Sequence, residues 1–458
     1  MAAPTKTKVN KDDDSSEIPN KISTTDIADQ NLDAFLTWCK ESHIKLSEKV
    51  RISKNGSCAQ YGMIAQADIE EGECLFTIPR DKLLFENTTS ISDILAKGSK
   101  ELQSESGWVP LLISLMYEYN NPQSPWRPYL DLVPDFKELN LPMFWDREER
   151  EKLLTGTGVI EAVDRDLKSI NTEFNKIVLP FINKHPDSFM PICKEKDFYK
   201  KMVAFVMAYS FTEDTVANET ITSSPMMVPV ADILNSIAKN NAHLEFDKDV
   251  LKMVAIKSIS KDEEIFNSYG EPDNAHLLQM YGYAEKYPHN HNDTVEIPFK
   301  LIFDVARETN SENGGEEILD NKWEYLETME IVDEDGSIVI GMTGVLSDYE
   351  CEKVIKILLM RESEFDNFIQ EEDQEDSDDE VEENIFTLEN IPKLAQEWKT
   401  ILQRWCYTRL KSYPTSLTQD EKKLAETEKL APHYKYSFYT AHSQKTLLNN
   451  IIQACNKG

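Results

Sequence analysis

The strongest constraint on the fold is a short pattern that occurs twice in the chain, far apart. Residues 63–76 read MIAQADIEEGECLF and residues 253–266 read MVAIKSISKDEEIF, with five identities at a constant offset of 190 residues. In each copy apolar residues alternate on both sides of an acidic turn, a pattern typical of two strands joined by a tight turn. Two hairpins of similar connectivity can acquire similar residues independently, without duplication of a sequence segment. A repeat array would need further copies, and the sequence contains none.

Helical patterns fill the long interval between the two copies. Apolar residues mostly recur at three-and-four spacing within 111–119, 160–181 and 198–211, interrupted by proline-rich pieces such as NPQSPWRPYLDLVPDF. The β-like pattern returns after SSPMMVP. We therefore predict one β-rich unit that is interrupted by a helical insert at about residues 90–222.

Two polar segments are predicted to lie outside the packed cores. Residues 1–28 are charged and poor in large apolar side chains, which predicts a disordered arm before folding begins near NLDAFLTWCK. From residue 287 onward the pattern is helical again, apart from EEDQEDSDDEVEEN at 371–384. This acidic run is expected to form a solvated, mobile loop, either a solubilising insertion or a docking site for basic partners.

Composition excludes several classes of function. The chain carries 82 acidic and 49 basic residues, a formal charge of -33, which disfavours nonspecific binding to nucleic acid or to anionic membranes and favours basic protein partners. Its seven cysteines form no C-x-x-C pair and its eight histidines form no H-E-x-x-H motif, so we expect no disulfide framework, no metal site and a reducing compartment. No apolar run approaches the roughly 18 residues that span a bilayer. The N-terminus also lacks the hydrophobic core of a secretion signal.

Two Tyr-Gly pairs follow the second copy of the pattern. In EIFNSYGEPDNAHLLQMYGY, Tyr269-Gly270 and Tyr281-Gly282 flank a helix-like segment that Pro272 can open, in a chain with only 15 glycines. Glycine permits a backbone turn directly after each tyrosine, so both rings are able to face one pocket. A purely structural helix cap explains Gly282 equally well.

The order of several motifs resembles a known family. YGM, SPWRPYL, VPVADILN, EIFNSYG and MYGY follow one another as in the SET-domain protein-lysine methyltransferases, in particular the class typified by the Rubisco large-subunit methyltransferase. The resemblance implies an α+β chain with a β-rich SET fold over residues 29–286, threaded like a pseudoknot and interrupted by the helical insert. An all-α substrate-binding domain would follow over residues 287–458.

The resemblance also implies a reaction. S-adenosylmethionine would donate a methyl group to the ε-amine of a lysine in a non-histone protein, with histones as a further substrate class. Because free lysine has a pKa of about 10.4, removing its proton at pH 7 costs on the order of 4.6 kcal/mol. Burial in an apolar channel beside a cationic sulfonium can lower the pKa of a lysine by roughly 3 to 5, which is enough without a strong base. The resemblance implies a nuclear location, with the cytoplasm as a second location.

Site residues are implied by the same motifs. Tyr269 would be catalytic, through positioning and electrostatic stabilisation rather than as a base, because a phenol titrates near about 10. From the residue alone, a buried strand-end tyrosine with a structural role is favoured, and the NSYG motif in the context of the family favours catalysis instead. The residues implied to bind the cofactor are Ala59, Gln60, Tyr61, Tyr209, Asn235, Ser236 and Tyr281. Those implied to bind the substrate are Trp108, Ser210 and Thr212.

Some of these residues depart from the family pattern or have a plain structural explanation. Gln60 stands where the family has the first glycine of a Gly-x-Gly turn, and Ser236 stands where it usually has histidine after Asn235. Trp108 and Thr212 lie in segments that read as ordinary amphipathic helix, so a role in the core is an equal alternative.

Two other classes of protein remain open at this stage, and each has a distinguishing measurement. A catalytically silent module that binds lysine-containing partners is motivated by Gln60 and Ser236, while the retention of Tyr269 and Asn235 argues against it. Absence of cofactor binding by the purified protein would favour that module. An α-helical interaction scaffold would give an almost purely helical circular dichroism spectrum, whereas we predict a mixed spectrum of helix and strand.

Overall fold

The computed structural model describes residues 24–54, 56, 61–133, 139–217, 220–311, 315–372 and 384–457. The helices are α1 (Thr24–Glu41), α2 (Ser92–Gly98), α3 (Val109–Asn120), α4 (Arg127–Leu130), α5 (Arg147–Leu154), α6 (Val159–Glu173), α7 (Leu179–Lys184), α8 (Lys196–Tyr209), α9 (Asn274–Tyr281), α10 (Phe299–Ser311), α11 (Glu316–Thr328), α12 (Asp348–Leu359), α13 (Glu362–Glu372), α14 (Gln396–Leu410), α15 (Leu417–Lys423) and α16 (Pro432–Cys455). The strands are β1 (Lys45–Leu46), β2 (Val50–Ser53), β3 (Gly62–Ala65), β4 (Cys74–Pro79), β5 (Ser210–Ala217), β6 (Thr220–Met227), β7 (Ala242–Phe246), β8 (Val250–Ala255), β9 (Glu264–Ile265), β10 (Val295–Pro298), β11 (Ser337–Gly341) and β12 (Gly344–Val345).

The two copies of the repeated pattern pair with each other. Strand β3 of the first copy pairs antiparallel with β9 of the second, and β4 pairs antiparallel with β8. Ile69 and Ile259, which occupy equivalent positions, exchange two backbone hydrogen bonds of 2.9 Å. Gly72 and Asp262 are also equivalent, have φ of 85° and 69°, and each donates its N–H over 2.8 Å to an alanine carbonyl of the other copy. An approximate two-fold axis therefore relates the two copies. Their pairing connects the chain segments that precede and follow the insert.

The paired strands of the two copies belong to two small sheets. The strand orders are β1-β4-β8-β7 and β2-β3-β9, while β5 and β6 form a separate hairpin. The β segments on both sides of the insert thus form one unit, and the predicted α+β organisation is confirmed.

The insert ends differently from the prediction. Its last helix, α8, stops at Tyr209, and the hairpin β5–β6 occupies residues that were predicted to belong to the helical insert up to residue 222. The segment from Ser210 to Met227 contains four Thr, one Val and one Ile, β-branched residues that favour strands. Apolar spacing continues across the junction as far as Phe211, so periodicity alone does not mark where the helix changes to strand.

Two separate hydrophobic cores divide the chain. The first gathers buried residues between Phe35 and Leu278, and the second gathers buried residues between Val295 and Cys455. The C-terminal domain is predominantly helical, as predicted, and also contains the sheet β10-β11-β12, which the sequence analysis missed. Its strands have only four, five and two residues, too few for a clear alternation in a helical region.

The ends of the described ranges bear on two sequence-based predictions. Helix α1 begins at Thr24, earlier than the predicted start of folding near residue 31. The rest of the predicted disordered arm, residues 1–23, and residues 373–383 of the acidic loop lie outside the described residues. Within the described ranges, no helix is long and apolar enough to cross a membrane.

A buried polar network joins the two domains. Asp293, which is 1 % exposed, accepts hydrogen bonds from the backbone N–H of Asn274 (3.0 Å), from its Nδ2 (2.7 Å) and from the hydroxyl of Ser443. Thr440 donates its hydroxyl to the carbonyl of Asn274 over 3.3 Å. Since Asn274 opens α9 and both hydroxyls belong to α16, the C-terminal helix anchors the start of α9. Burial raises the pKa of Asp293 to about 7.

The raised pKa of Asp293 makes stability depend on pH. Its ordinary pKa is 3.8, so between that value and about 7 the folded chain holds a proton that the unfolded chain does not. The resulting stabilisation is present at low pH and is lost as the pH rises through 7. We expect Asp293→Asn to reduce the fall in the free energy of unfolding, measured in urea, between about pH 5 and about pH 7, where only the folded chain holds this proton. The control Asp320→Asn alters an exposed carboxyl and should keep the wild-type slope. An unchanged slope in Asp293→Asn would contradict this assignment.

Candidate functional site

Both Tyr-Gly pairs contribute to the wall of one cavity. The cavity has a volume of about 610 Å³, and its lining includes Tyr269, Tyr281 and Gly282. Pro432 and Tyr436, from the first turns of α16, complete another part of the wall. The cavity is therefore built by both domains.

The two tyrosine rings stack on each other. Their centroids lie 4.5 Å apart and their planes differ by 27°. The hydroxyl of Tyr269 donates to the carbonyl oxygen of Leu234 over 3.0 Å, and its backbone N–H donates to the hydroxyl of Ser236 over 3.2 Å. Burial raises the pKa of Tyr281 to about 12, so its phenol is protonated at neutral pH.

The helix between the pairs fixes the position of Tyr281. Asp273 caps α9 by accepting a hydrogen bond of 2.7 Å from the backbone N–H of His276, so the helix begins just after Pro272. It ends at Tyr281 because Gly282, with φ of 75°, forms the left-handed C-terminal cap. The predicted cap is confirmed.

Gly282 has a second reason to be glycine. A Cβ at this position would lie 2.1 Å from the carbonyl oxygen of Leu139, and the Nδ2 of Asn140 donates to the carbonyl of Gly282 over 2.8 Å. The missing side chain therefore lets the cavity wall at residues 139–140 approach the end of α9. Gly270 has φ of 91° but no atom within 4 Å of a built Cβ, so it is required for conformation alone.

Asn235 and Ser236 hold the strand beside Tyr269. The Nδ2 of Asn235 donates to the carbonyl of Tyr61 (3.1 Å) and to Oε1 of Glu264 (2.6 Å), and its own carbonyl accepts the N–H of Asn267 (2.9 Å). Ser236 forms a parallel bridge with Asn267. The segment that carries Tyr269 thus runs directly alongside residues 235–236. Through the hydrogen bond from Asn235 to Tyr61, this segment is also linked to the start of β3.

Serine fits the position where the family usually has histidine. The hydroxyl of Ser236 accepts the N–H of Tyr269, and its carbonyl accepts the hydroxyl of Tyr283 over 3.0 Å. Ser236 is 5 % exposed, so both contacts lie in the protein interior. Through these hydrogen bonds Ser236 positions Tyr269 and Tyr283. This role does not require an imidazole.

Sequence reasoning missed a carboxyl in the same wall. Asp232 is 8 % exposed and lines the cavity, and its Oδ2 accepts the hydroxyl of Tyr129 over 2.5 Å. Its Oδ1 is buried and has no hydrogen-bond partner within the described part of the chain. Burial raises the pKa of Asp232 to about 7. The available signal was a single acid in the otherwise apolar run VPVADIL.

The cavity lining includes six of the predicted site residues: Tyr61, Tyr209, Asn235, Ser236, Tyr269 and Tyr281. Tyr209 ends α8 and packs edge-on against Phe205, with ring centroids 5.4 Å apart. Burial raises the pKa of its phenol. Ala59 and Gln60 lie outside the described residues.

The three predicted substrate residues lie elsewhere. Trp108 precedes α3 and packs against the first core, while Ser210 and Thr212 pair with Met227 and Pro225 in the hairpin β5–β6. None of the three lines the cavity beside Tyr269. A second cavity, of about 810 Å³, is lined by Gly107, Pro110 and Pro225, of which the first two lie close to Trp108 in the chain. Substrate binding by these three residues stays a prediction.

The described part of the chain holds no group of three or more His, Cys, Asp or Glu side chains that could bind a metal ion.

Comparison with known proteins first defines the class. The sequence model of the SET domain family matches residues 60–270, and that of the Rubisco LSMT substrate-binding family matches residues 313–452. A structure of Rubisco LSMT bound to AdoMet is similar with a TM-score of 0.63, and a crystal structure of the SET domain of LSMT bound to lysine and AdoHcy is similar with a TM-score of 0.60. Each is 17% identical in sequence, and each comparison covers 93% of this chain and 91% of the other. The chain therefore has the SET fold followed by a substrate-binding domain of the LSMT type.

Closer relatives then define the family. N-lysine methyltransferase setd6 of Salmo salar is 43% identical over 430 residues, which cover 92% of this chain and 96% of the relative. The protein of the same name from Danio rerio is 43% identical over 92% of this chain and 95% of the relative. N-lysine methyltransferase SETD6 of Homo sapiens is 38% identical over 92% of this chain and 94% of the relative. The chain belongs to the SETD6 family of N-lysine methyltransferases, and the resemblance seen in the sequence is confirmed.

Alanine at the two glycines should separate conformation from contact. Gly270→Ala pays for a left-handed backbone alone and should lower the free energy of unfolding by about 1 to 2 kcal/mol. Gly282→Ala also places a methyl group against the carbonyl of Leu139, so the loss should reach about 3 kcal/mol or more. Urea unfolding of both variants measures the difference. Equal losses would show that the close approach of residues 139–140 to α9 is absent in solution.

Proposed function

We propose that this chain binds S-adenosylmethionine beside Asn235 and transfers its methyl group to the ε-amine of a lysine in a protein substrate. The observation that carries the proposal is the stacked pair Tyr269 and Tyr281 in the wall of a cavity that Asn235 and Ser236 also line. The relatives are named N-lysine methyltransferases, and one similar structure holds lysine and AdoHcy. Family membership favours an enzyme over a silent binding module.

The cavity fits the cofactor in size and chemistry. Its volume of about 610 Å³ lies within the roughly 300 to 1,000 Å³ of small-molecule sites. Tyrosine and phenylalanine rings form much of the wall, and such rings attract cations as well as flat apolar groups. Tyr61, Asn235, Ser236 and Tyr281 would hold the cofactor. When bound, S-adenosylmethionine supplies a methyl group on a positively charged sulfur.

Tyr269 is the residue we assign to positioning the amine. Its hydroxyl donates to the carbonyl of Leu234, and a phenol oxygen that donates its proton has the capacity to accept hydrogen bonds as well. The stacked ring of Tyr281, and the hydrogen bond that the backbone N–H of Tyr269 donates to the hydroxyl of Ser236, restrict the motion of Tyr269. A fixed acceptor orients an unprotonated lysine amine without acting as a base.

The substrate is proposed to be a lysine in a basic segment of a non-histone protein. The formal charge of -33 supports this choice, because a negative protein attracts basic partners. This attraction speeds the encounter more than it sets specificity. A nuclear location is proposed on the resemblance alone, with the cytoplasm as a second location.

Loss of one hydroxyl should separate catalysis from binding. We expect Tyr269→Phe to lower kcat by about 100-fold or more, because the amine loses its fixed acceptor. The affinity for S-adenosylhomocysteine should change by less than about threefold. Tritium transfer from labelled S-adenosylmethionine to an array of lysine-centred peptides, beside calorimetric titration, gives both values.

The matched control is Tyr199→Phe, which removes a buried hydroxyl that contacts Glu173 over 3.3 Å and does not line the cavity. It should keep both values close to those of the wild type. Equal losses of turnover and affinity in Tyr269→Phe would contradict the proposed role of Tyr269.

A further inference from the structure

We propose that Asp232, held by Tyr129, makes the cavity selective for a cationic ligand, so that S-adenosylmethionine is favoured over its neutral-sulfur product S-adenosylhomocysteine. The inference rests on the proposed function of the cavity and adds a residue that determines its specificity.

Asp232 is the only acidic residue among the described residues that line the cavity, and Lys54 is the only basic one. Much of the remaining wall is aromatic, with Phe205, Tyr209 and Tyr436 among its members. Charges interact more strongly in such surroundings than in water, because few dipoles are available to screen them. A carboxylate in this wall therefore attracts a positive charge inside the cavity.

The protein gives this carboxyl little compensation of its own. Tyr129 donates one hydrogen bond to Oδ2, and the buried Oδ1 has no partner among the residues that the structure describes. The negative charge of Asp232 acts on two further titratable groups, Cys39 of α1 and Tyr209 of α8. Burial raises the pKa of Cys39 to about 12 and also raises the pKa of Tyr209, so both are neutral at pH 7. These groups supply no positive charge to Asp232.

A buried charge without a partner is unfavourable, and a bound cation corrects this. The pKa of Asp232 is raised to about 7 by burial in the cavity without a ligand. A cation nearby favours the ionised form and should release a proton from the carboxyl at pH 7. A neutral thioether provides no such stabilisation. The same difference assists release of the product, because methyl transfer leaves the sulfur neutral and the positive charge on the methylated lysine.

The backbone around Asp232 indicates that its position is enforced. Val230 has φ of 76°, a conformation that a β-branched residue rarely adopts. Such strain persists only where surrounding packing requires it, and it is concentrated at functional sites. The hydrogen bond from Tyr129 then fixes the carboxyl plane, so Tyr129 acts as a positioning residue.

The test is calorimetric titration of the full chain with S-adenosylmethionine and, separately, with S-adenosylhomocysteine. Asp232→Asn keeps the shape of the side chain and removes its charge. We expect the variant to bind S-adenosylmethionine about tenfold more weakly and S-adenosylhomocysteine less than about threefold more weakly. The control Asp131→Asn removes a carboxyl that pairs with Arg127 outside the cavity lining, and it should leave both affinities unchanged.

A second measurement guards against a variant that fails to fold. Titration of the wild type in two buffers of different ionisation enthalpy reports the protons released on binding, and we expect more release with S-adenosylmethionine than with S-adenosylhomocysteine. A soluble Asp232→Asn should lose that difference. Equal weakening of both ligands, or an unchanged difference in proton release, would overturn the assignment of Asp232. Absence of binding of either ligand to the wild type would instead overturn the proposed function.

Discussion

The antiparallel pairing of the two repeated segments is the interaction on which the remaining structure depends. It joins strands that are separated by the whole helical insert, with Ile69 and Ile259 bonded at its centre. The entropy of closing such a long loop grows only slowly with length, so one paired unit can hold a large insert. The pairing places β3 beside β9. The side-chain amide of Asn235 then donates hydrogen bonds to Tyr61, just before β3, and to Glu264 in β9. The position of the cavity follows from this cross-link.

The cavity also depends on the second domain. Helix α16 contributes Pro432 and Tyr436 to the wall, and its hydroxyl groups reach the start of α9 through Asp293 and Asn274. The ring of Tyr281, at the other end of α9, is therefore positioned from both sides.

Sequence reasoning succeeded where a backbone requirement or an ordered set of motifs left few alternatives. The two Tyr-Gly pairs predicted a shared pocket and a glycine cap, and both are present. Glycine is favoured at position 282 because a side chain there would strain the left-handed backbone and clash with the carbonyl of Leu139. It failed where the outcome depends on long-range packing. Asp232 gains its importance from Tyr129, more than a hundred residues earlier in the chain, and no local pattern reports that contact. The end of the insert at Tyr209 and the short strands of the C-terminal domain were missed because local spacing is ambiguous there.

The central claim is that the cavity beside Asn235 holds the cofactor of a lysine methyltransferase. Calorimetric titration of the wild type and of Asn235→Ala with S-adenosylhomocysteine tests it most directly. Asn240→Ala serves as the control, because the side-chain amide of Asn240 donates to the carbonyl of Ala242 and Asn240 is not among the described residues that line the cavity. The account predicts binding of about −8 kcal/mol, in the micromolar range, that Asn235→Ala loses and the folded control keeps. Equal affinity in all three proteins, or no binding by the wild type, would contradict it.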